Sequence, residues 1–356
     1  MSEAVLARMQ AQILAAAAAK TPLVIRGGGT KDFYGQALAG DALETAAYAG
    51  IVDYDATELV ITARAGTPLA DVEAAMAASG QMLACEPPRF GAGATLGGMV
   101  AAGLSGPRRP YAGAVRDIVL GVRILDGKGD DLSFGGRVMK NVAGFDVARV
   151  MAGALGTLGV LTEISLKCVP LPKVEATLVL EYPADVAIRT TNEWGSKPLP
   201  VSATCHHAGR LAVRLSGAAP AVDAAAKRIG GVAMADGAAL WRSVREQTHP
   251  FFAGASAPLW RLSVKPTAPV ADLSGEQLIE WGGALRWLVA GEGTDPAKVR
   301  EWAKANGGHA TLFRAGDKSA GAFHPLPPSM HALHRRLKAT FDPAGILNRG
   351  RLYPDF

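Results

Sequence analysis

An apolar, β-branched run, Val24 and Ile25, passes through Arg26 and stops at three consecutive glycines, Gly27, Gly28 and Gly29, followed by Thr30. Glycine lacks a Cβ, reaches φ > 0 and lets another group come close to the backbone. Successive amide N–H groups in such a turn can converge on an anion. Arg26 and Lys31 flank the turn with positive charge, and Thr30 adds a hydroxyl. The stretch is expected to cradle a diphosphate, or else to be a tight strand-to-strand turn. Gly28 is expected at φ > 0, where a side chain would also fill the phosphate's space.

A second stretch of the same kind lies some sixty residues on. Pro87 and Pro88 open it, and Gly91, Gly93, Gly97, Gly98, Gly103, Gly106 and Gly113 follow, with Ala92, Ala94, Thr95, Ala101, Ala102 and Ser105 between them. A segment so poor in side-chain bulk can lie against something flat or extended. It is not a Rossmann fingerprint, because the G-x-G-x-x-G spacing, the preceding apolar strand and the later acidic residue are all missing. No Gly-Lys-Ser/Thr occurs, which excludes a Walker loop.

The 356 residues point to about two domains, and 49% hydrophobic against 19% charged residues excludes a disordered chain. No run of ~18 uncharged apolar residues is present, so no transmembrane helix is expected. Ile13–Ala19 reads as the end of an amphipathic helix rather than a signal peptide. The net charge of +5 is mild, and its clearest clusters are Arg108-Arg109 and Arg335-Arg336. No basic stripe with interleaved aromatics occurs, which argues against nucleic acid. Cys85, Cys168 and Cys205 are dispersed, which leaves no framework for an iron–sulfur cluster or structural zinc and fits a reducing, cytoplasmic setting.

In chain order, 3–18 suits a helix, 23–26 a strand and 58–64 another strand. Thr67 and Pro68 are placed to cap and start a helix over 68–79 that Gly80 ends. Val115–Leu125 and 131–134 read as a hairpin around Asp126–Gly129. Lys140–Asp146 leads into a short helix, and Ala154–Lys167 is a glycine-punctuated approach to a strand. The expected domains are 1–172, a second α+β domain over 173–326, and a closing segment 327–356 that returns to the first. Strands 174–182 and 210–215 and helices 220–229 and 296–305 belong to the second. Ser329 is expected to cap a helix whose Met330, Leu333, Leu337 and Phe341 form an apolar face, with His331, His334, Arg335 and Lys338 on the polar one.

Together, the two glycine-rich loops, the hairpin and the Gly156–Val160 strand approach resemble the flavin-binding fold of the vanillyl-alcohol oxidase/p-cresol methylhydroxylase (PCMH) family. The resemblance covers about 20–170 and the ending Phe341–Gly350. More narrowly, Arg26–Lys31, Gly103–Tyr111 and Lys140–Asp146 resemble the E-type subunits of bacterial glycolate oxidases. The implied fold is α+β, a PCMH-type FAD-binding domain with a smaller α+β cap.

The resemblance assigns Arg26, Gly27, Gly28, Gly29 and Thr30 to the FAD pyrophosphate. Pro88, Thr95, Leu96, Gly97 and Gly98 would line flavin and diphosphate, Gly103, Ser105 and Gly106 would pass beside the isoalloxazine, and Gly159 and Val160 would meet the adenine side. Thr30 stands where covalent members carry histidine, so FAD is expected to be non-covalent. The implied partners are a larger D-type flavin subunit and an iron–sulfur subunit, with glycolate as the 2-hydroxy acid. Any membrane association would come through those subunits.

No His-x-x-x-His pair is found, so no metal site is assigned. His206-His207 are strand neighbours facing opposite ways, and His249, His309 and His324 are isolated. Arg108, Arg109, Arg314 and Lys140 are candidate cations for a carboxylate, and no motif places a catalytic base. Two other classes stay open: an assembly or electron-relay subunit with no turnover of its own, and a cell-wall-precursor reductase, which NADPH reduction would reveal.

Overall fold

The computed structural model describes residues 2–136, 146–253 and 257–356, so the expectation for Lys140–Asp146 lies mostly outside them. The described chain divides into two compact units. One comprises Met1–Leu104, Ala114–Leu171 and Pro325–Phe356, the other Ser105–Gly113 and Pro172–His324.

The first unit opens with the helix Ser2–Ala19. Its Met9 and Ile13 are buried with Leu23, Leu43, Ile346 and Leu347. The strand Leu23–Arg26 pairs in parallel with Asp41–Glu44. A five-stranded antiparallel sheet follows in the spatial order Ile51–Asp55, Val60–Arg64, Val160–Lys167, Val119–Leu125, Asp131–Gly135. The hairpin is present, with Leu125 opposite Asp131 across a turn in which the Asp126 carboxylate accepts from the Lys128 and Asp130 amides. Val115–Ile118 is a helical turn rather than the start of the strand. The sheet packs Ile61, Val122, Ile124 and Ile164 against Leu69, Val72 and Met76 of the helix Leu69–Ala78 and against Leu96, Met99 and Val100 of Leu96–Ala102.

Two expected caps are replaced. Pro68, not Thr67, takes the N-cap of Leu69–Ala78 and makes no side-chain bond there. The Thr67 hydroxyl instead donates to the Arg64 carbonyl and accepts from the Gly50 amide. Pro327, not Ser329, precedes the helix Pro328–Phe341. On that helix Leu337 and Phe341 meet the core, whereas Met330 and Leu333 are exposed. Lys338, expected on the polar face, is buried.

The second unit is built on an eight-stranded sheet, ordered Val232–Ala233, Val174–Glu181, Arg210–Gly217, Val201–His207, Gly275–Glu280, Leu285–Ala290, Leu259–Ser263, His309–Arg314. Every pairing is antiparallel. Leu178, Leu211, Val213 and Leu215 on one strand group bury Val222 and Ala225 of the helix Ala219–Ile229. Trp260, Leu262, Leu288 and Leu312 bury Val299 and Ala303 of Pro296–Ala305.

The segment Ser105–Gly113, expected within 1–172, has its contacts in this second unit. The buried Arg108 pairs with Glu175, the Trp281 indole donates to the Gly106 carbonyl at 3.1 Å, and the Arg109 guanidinium lies 4.6 Å from the Trp281 ring centroid.

Candidate functional site

A cavity of about 360 Å³ lies wholly within the first unit. One side is the turn after the strand Leu23–Arg26, from Arg26 through Asp32, and the opposite side is formed by Thr95, Gly97, Gly98, Ala101 and Ala102. Leu155, Gly156, Gly159, Asn348 and Arg351 also line it, as do the apolar Val24, Ile25, Ala65 and Leu161.

The two glycine-rich loops are packed on each other through bare backbone. A Cβ on Gly28 would sit 1.4 Å from the Gly93 carbonyl oxygen, and one on Gly27 would sit 2.5 Å from Thr95 Oγ1. The left-handed residue of the turn is Gly29, at φ 70°, and not Gly28 as expected. Gly28 is required for the close approach of a neighbouring loop rather than for its backbone angle.

The amides of Gly27, Gly28, Gly29 and Thr30 donate to no protein acceptor among the described residues. An unpaired backbone donor is costly away from water, so a run of four on a cavity wall is suited to an anion. The second loop differs. Leu96 N donates to Thr67 O at 2.9 Å, Gly97 N to Ala65 O at 2.7 Å, and Gly98 N to the capping Thr95 hydroxyl at 3.2 Å. Thr95–Gly98 therefore contributes an absence of side chains, not amide donors.

The charges of the first loop are engaged. Arg26 Nε pairs with Asp32 at 2.9 Å, both side chains half exposed, and Lys31 Nζ donates to Arg89 O at 3.1 Å. Burial lowers the pKa of Arg351 from its usual value, opposed by the nearby Asp32 charge.

Of the other expected site residues, Gly159 lines the cavity. Val160 is buried in the core beside Leu125, Leu96 is in the sheet–helix core and Pro88 is buried. Gly103 ends the helix Leu96–Ala102 at φ 63°, close against Gly153. Ser105 and Gly106 belong to the second unit. Asn348, Arg351, Leu155 and Gly156 were not expected here. Asn348 falls in the Phe341–Gly350 ending, but nothing in its spacing says which turn it meets.

No histidine lines the cavity among the described residues. His206 bonds to the Tyr182 carbonyl at 2.8 Å, and burial lowers its pKa. His207 bonds to Glu276 at 2.6 Å, on the other side of the strand Val201–His207. His331 pairs with Asp355 at 2.9 Å. Of the candidate cations, Arg108 is committed to Glu175, Arg314 lies over Phe313, and Lys140 lies outside the described residues. Cys85, Cys168 and Cys205 are buried thiols whose pKa values burial raises. Among the described residues no three His, Cys, Asp or Glu side chains gather so as to hold a metal ion, and no helix is long and apolar enough to cross a membrane.

A family model described as an FAD binding domain matches residues 6–135. The glycolate oxidase subunit GlcE of Escherichia coli (strain K12) is 48% identical over 344 residues, spanning 97% of this chain and 96% of its own. The glycolate oxidase subunit GlcD of Bacillus subtilis (strain 168) is 32% identical over 144 residues, 40% of this chain and 30% of its own. Among solved structures, p-cresol methylhydroxylase with substrate bound superposes at a TM-score of 0.71 with 13% identity, over 98% of this chain and 87% of that one, a likeness of fold alone. With its α+β architecture of PCMH type and its FAD binding domain, the chain belongs to the family of the glycolate oxidase subunit GlcE.

Proposed function

We propose that this chain is the FAD-carrying subunit of a cytoplasmic glycolate oxidase complex. It would act on glycolate, giving glyoxylate, together with a larger D-type flavin subunit and an iron–sulfur subunit. The observation that carries the proposal is the similarity to the Escherichia coli subunit along nearly the whole of both chains. The cavity fits the cofactor's diphosphate. Its wall carries four undonated amides, and a Cβ on Gly27 or Gly28 would destroy the cradle.

When bound, FAD supplies an acceptor for the hydride, and with it the two electrons, removed from a 2-hydroxy acid. The chain's own residues bind and shield. Gly27–Thr30 would hold the diphosphate by backbone donation, Gly156 and Gly159 would offer unobstructed wall, and Val24, Ile25, Ala65 and Leu161 would exclude water. Thr30 offers a hydroxyl where a linking histidine would be needed, which supports non-covalent attachment. The purified chain should be yellow, and anaerobic glycolate should bleach it only with the partner subunits present. A colourless chain that takes up no FAD would refute the proposal.

A second reading is that this subunit's flavin relays electrons, or orders the complex, while a partner turns over the substrate. The lining of the cavity favours it, because among the described residues it includes no histidine to act as a base. Dye-coupled glycolate oxidation by the isolated, FAD-replete chain separates the two.

A further inference from the structure

The C-terminal stretch Asn348–Arg351 lies outside the residues that match the FAD binding domain, yet two of its side chains line the cavity. We propose that it is a clasp that fixes the separation of three cavity-lining segments, with Asn348 and Arg351 as positioning residues for the cofactor. The inference rests on FAD occupying this cavity.

The clasp is anchored deep in the first unit. The side chain of Lys338 is 7% exposed and that of Asp342 0%. Lys338 Nζ donates to Asp342 Oδ2 at 2.6 Å, to Leu347 O at 2.7 Å and to Thr157 O at 2.9 Å. The Asp342 carboxylate accepts from the Ile346 and Leu347 amides at 3.1 and 2.8 Å. The chain then runs beside the strand Leu23–Arg26, with Leu23 N donating to Ile346 O at 2.7 Å and Asn348 N to Leu23 O at 3.0 Å. A buried ion pair holding backbone groups on both sides leaves this segment little freedom to shift.

From that anchor, two side chains reach three segments. The Asn348 Oδ1 accepts from Ile25 N at 2.8 Å, and its Nδ2 donates to Leu155 O at 2.6 Å. Arg351 donates to the carbonyls of Gln36 at 2.8 Å, Asp32 at 3.0 Å and Lys31 at 3.2 Å. Ile25, Leu155, Lys31 and Asp32 all line the cavity.

The partner segments make room for the clasp. A Cβ on Gly156 would come 2.7 Å from Asn348 Nδ2, and one on Gly35 would come 2.9 Å from Arg351 O. Both oxygen and nitrogen of the buried Asn348 amide are used by the protein, so it acts through the walls rather than on the ligand.

The test is FAD titration of the apo full-length chain, with visible circular dichroism of the bound flavin and thermal unfolding of the apo form. Asn348→Gly tolerates the residue's φ of 40° and removes both side-chain bonds. It should weaken FAD binding by roughly tenfold or more and alter the flavin dichroism. Arg351→Met should also weaken binding, and Arg351→Lys should recover part of the loss. If Asn348→Gly fails to fold, the Arg351 pair decides. Wild-type affinity in the variants would overturn the clasp, as would an unaltered flavin spectrum with affinity falling only in step with apo stability. Failure of the unmodified chain to bind FAD would instead overturn the cofactor reading.

Discussion

Replacing Gly28 with valine should empty the cavity of flavin while leaving the second unit folded. The first atom of the new side chain would sit 1.4 Å from the Gly93 carbonyl oxygen and 2.4 Å from its carbon. Ordinary contact needs more than 3 Å, so the loops would have to part by roughly 2 Å. Neither side can rotate out of the way, because both are main chain. Overpacking of this kind typically costs about 1–3 kcal/mol, and the branched methyl groups of valine add to it. The larger effect falls on the ligand, because parting the loops spoils the row of amides from Gly27 to Thr30. Affinity for FAD should fall by about a hundredfold or more, close to 2.7 kcal/mol. Gly29→Ala is the informative companion. It meets the end of the flexible Arg26 side chain but must adopt φ 70°, at a cost of about 1–2 kcal/mol. The assay is the ratio of flavin to protein absorbance after purification, with thermal unfolding beside it. A Gly28→Val protein carrying its full complement of flavin would refute the account of the two loops.

If the flavin is bound non-covalently, as proposed from Thr30, acid precipitation should release all the yellow colour into the supernatant; colour in the pellet would contradict this. The isolated chain should not sustain dye-coupled glycolate oxidation, whereas co-expression with the proposed flavin and iron–sulfur partners should; robust turnover alone would reject the need for partners. Burial lowers the pKa of His206, His249 and His309, so the unfolded chain binds more protons than the folded one as pH falls. Their contribution to stability is complete above about pH 6.5 and is lost as pH falls through the lowered folded values. The Tm should drop between about pH 7.5 and pH 5, and His206→Asn should flatten the slope, so a flat wild-type profile would count against it. Lys338→Met strands the buried Asp342 carboxylate and should cost about 3–5 kcal/mol; adding Asp342→Asn should restore part of the loss, and an unchanged Tm in the single variant would show the pair to be dispensable.

Local chemistry made much of the first unit readable from the amino acids alone. A β-branched run ending in three glycines has few uses, and the turn at Gly27–Gly29 lies on the cavity wall. The hairpin around Asp126 was readable because the alternation of its strands and the chemistry of its turn agree. Such features depend on neighbours a few residues apart. Long-range contact decided the rest. Gly28 is needed because Gly93 comes to lie against it, which depends on how the sixty-four intervening residues fold rather than on a turn. Ser105–Gly113 reads as a continuation of the glycine-rich stretch, but Arg108 finds Glu175 and Gly106 finds Trp281, which draws it into the second unit. Lys338 reads as a solvated lysine until Asp342, Thr157 and Leu347 supply enough acceptors to bury its charge. Asn348 reads as one more residue of a terminal segment, and only the fold brings it to Ile25 and Leu155, whose backbone groups no periodicity could have paired with it.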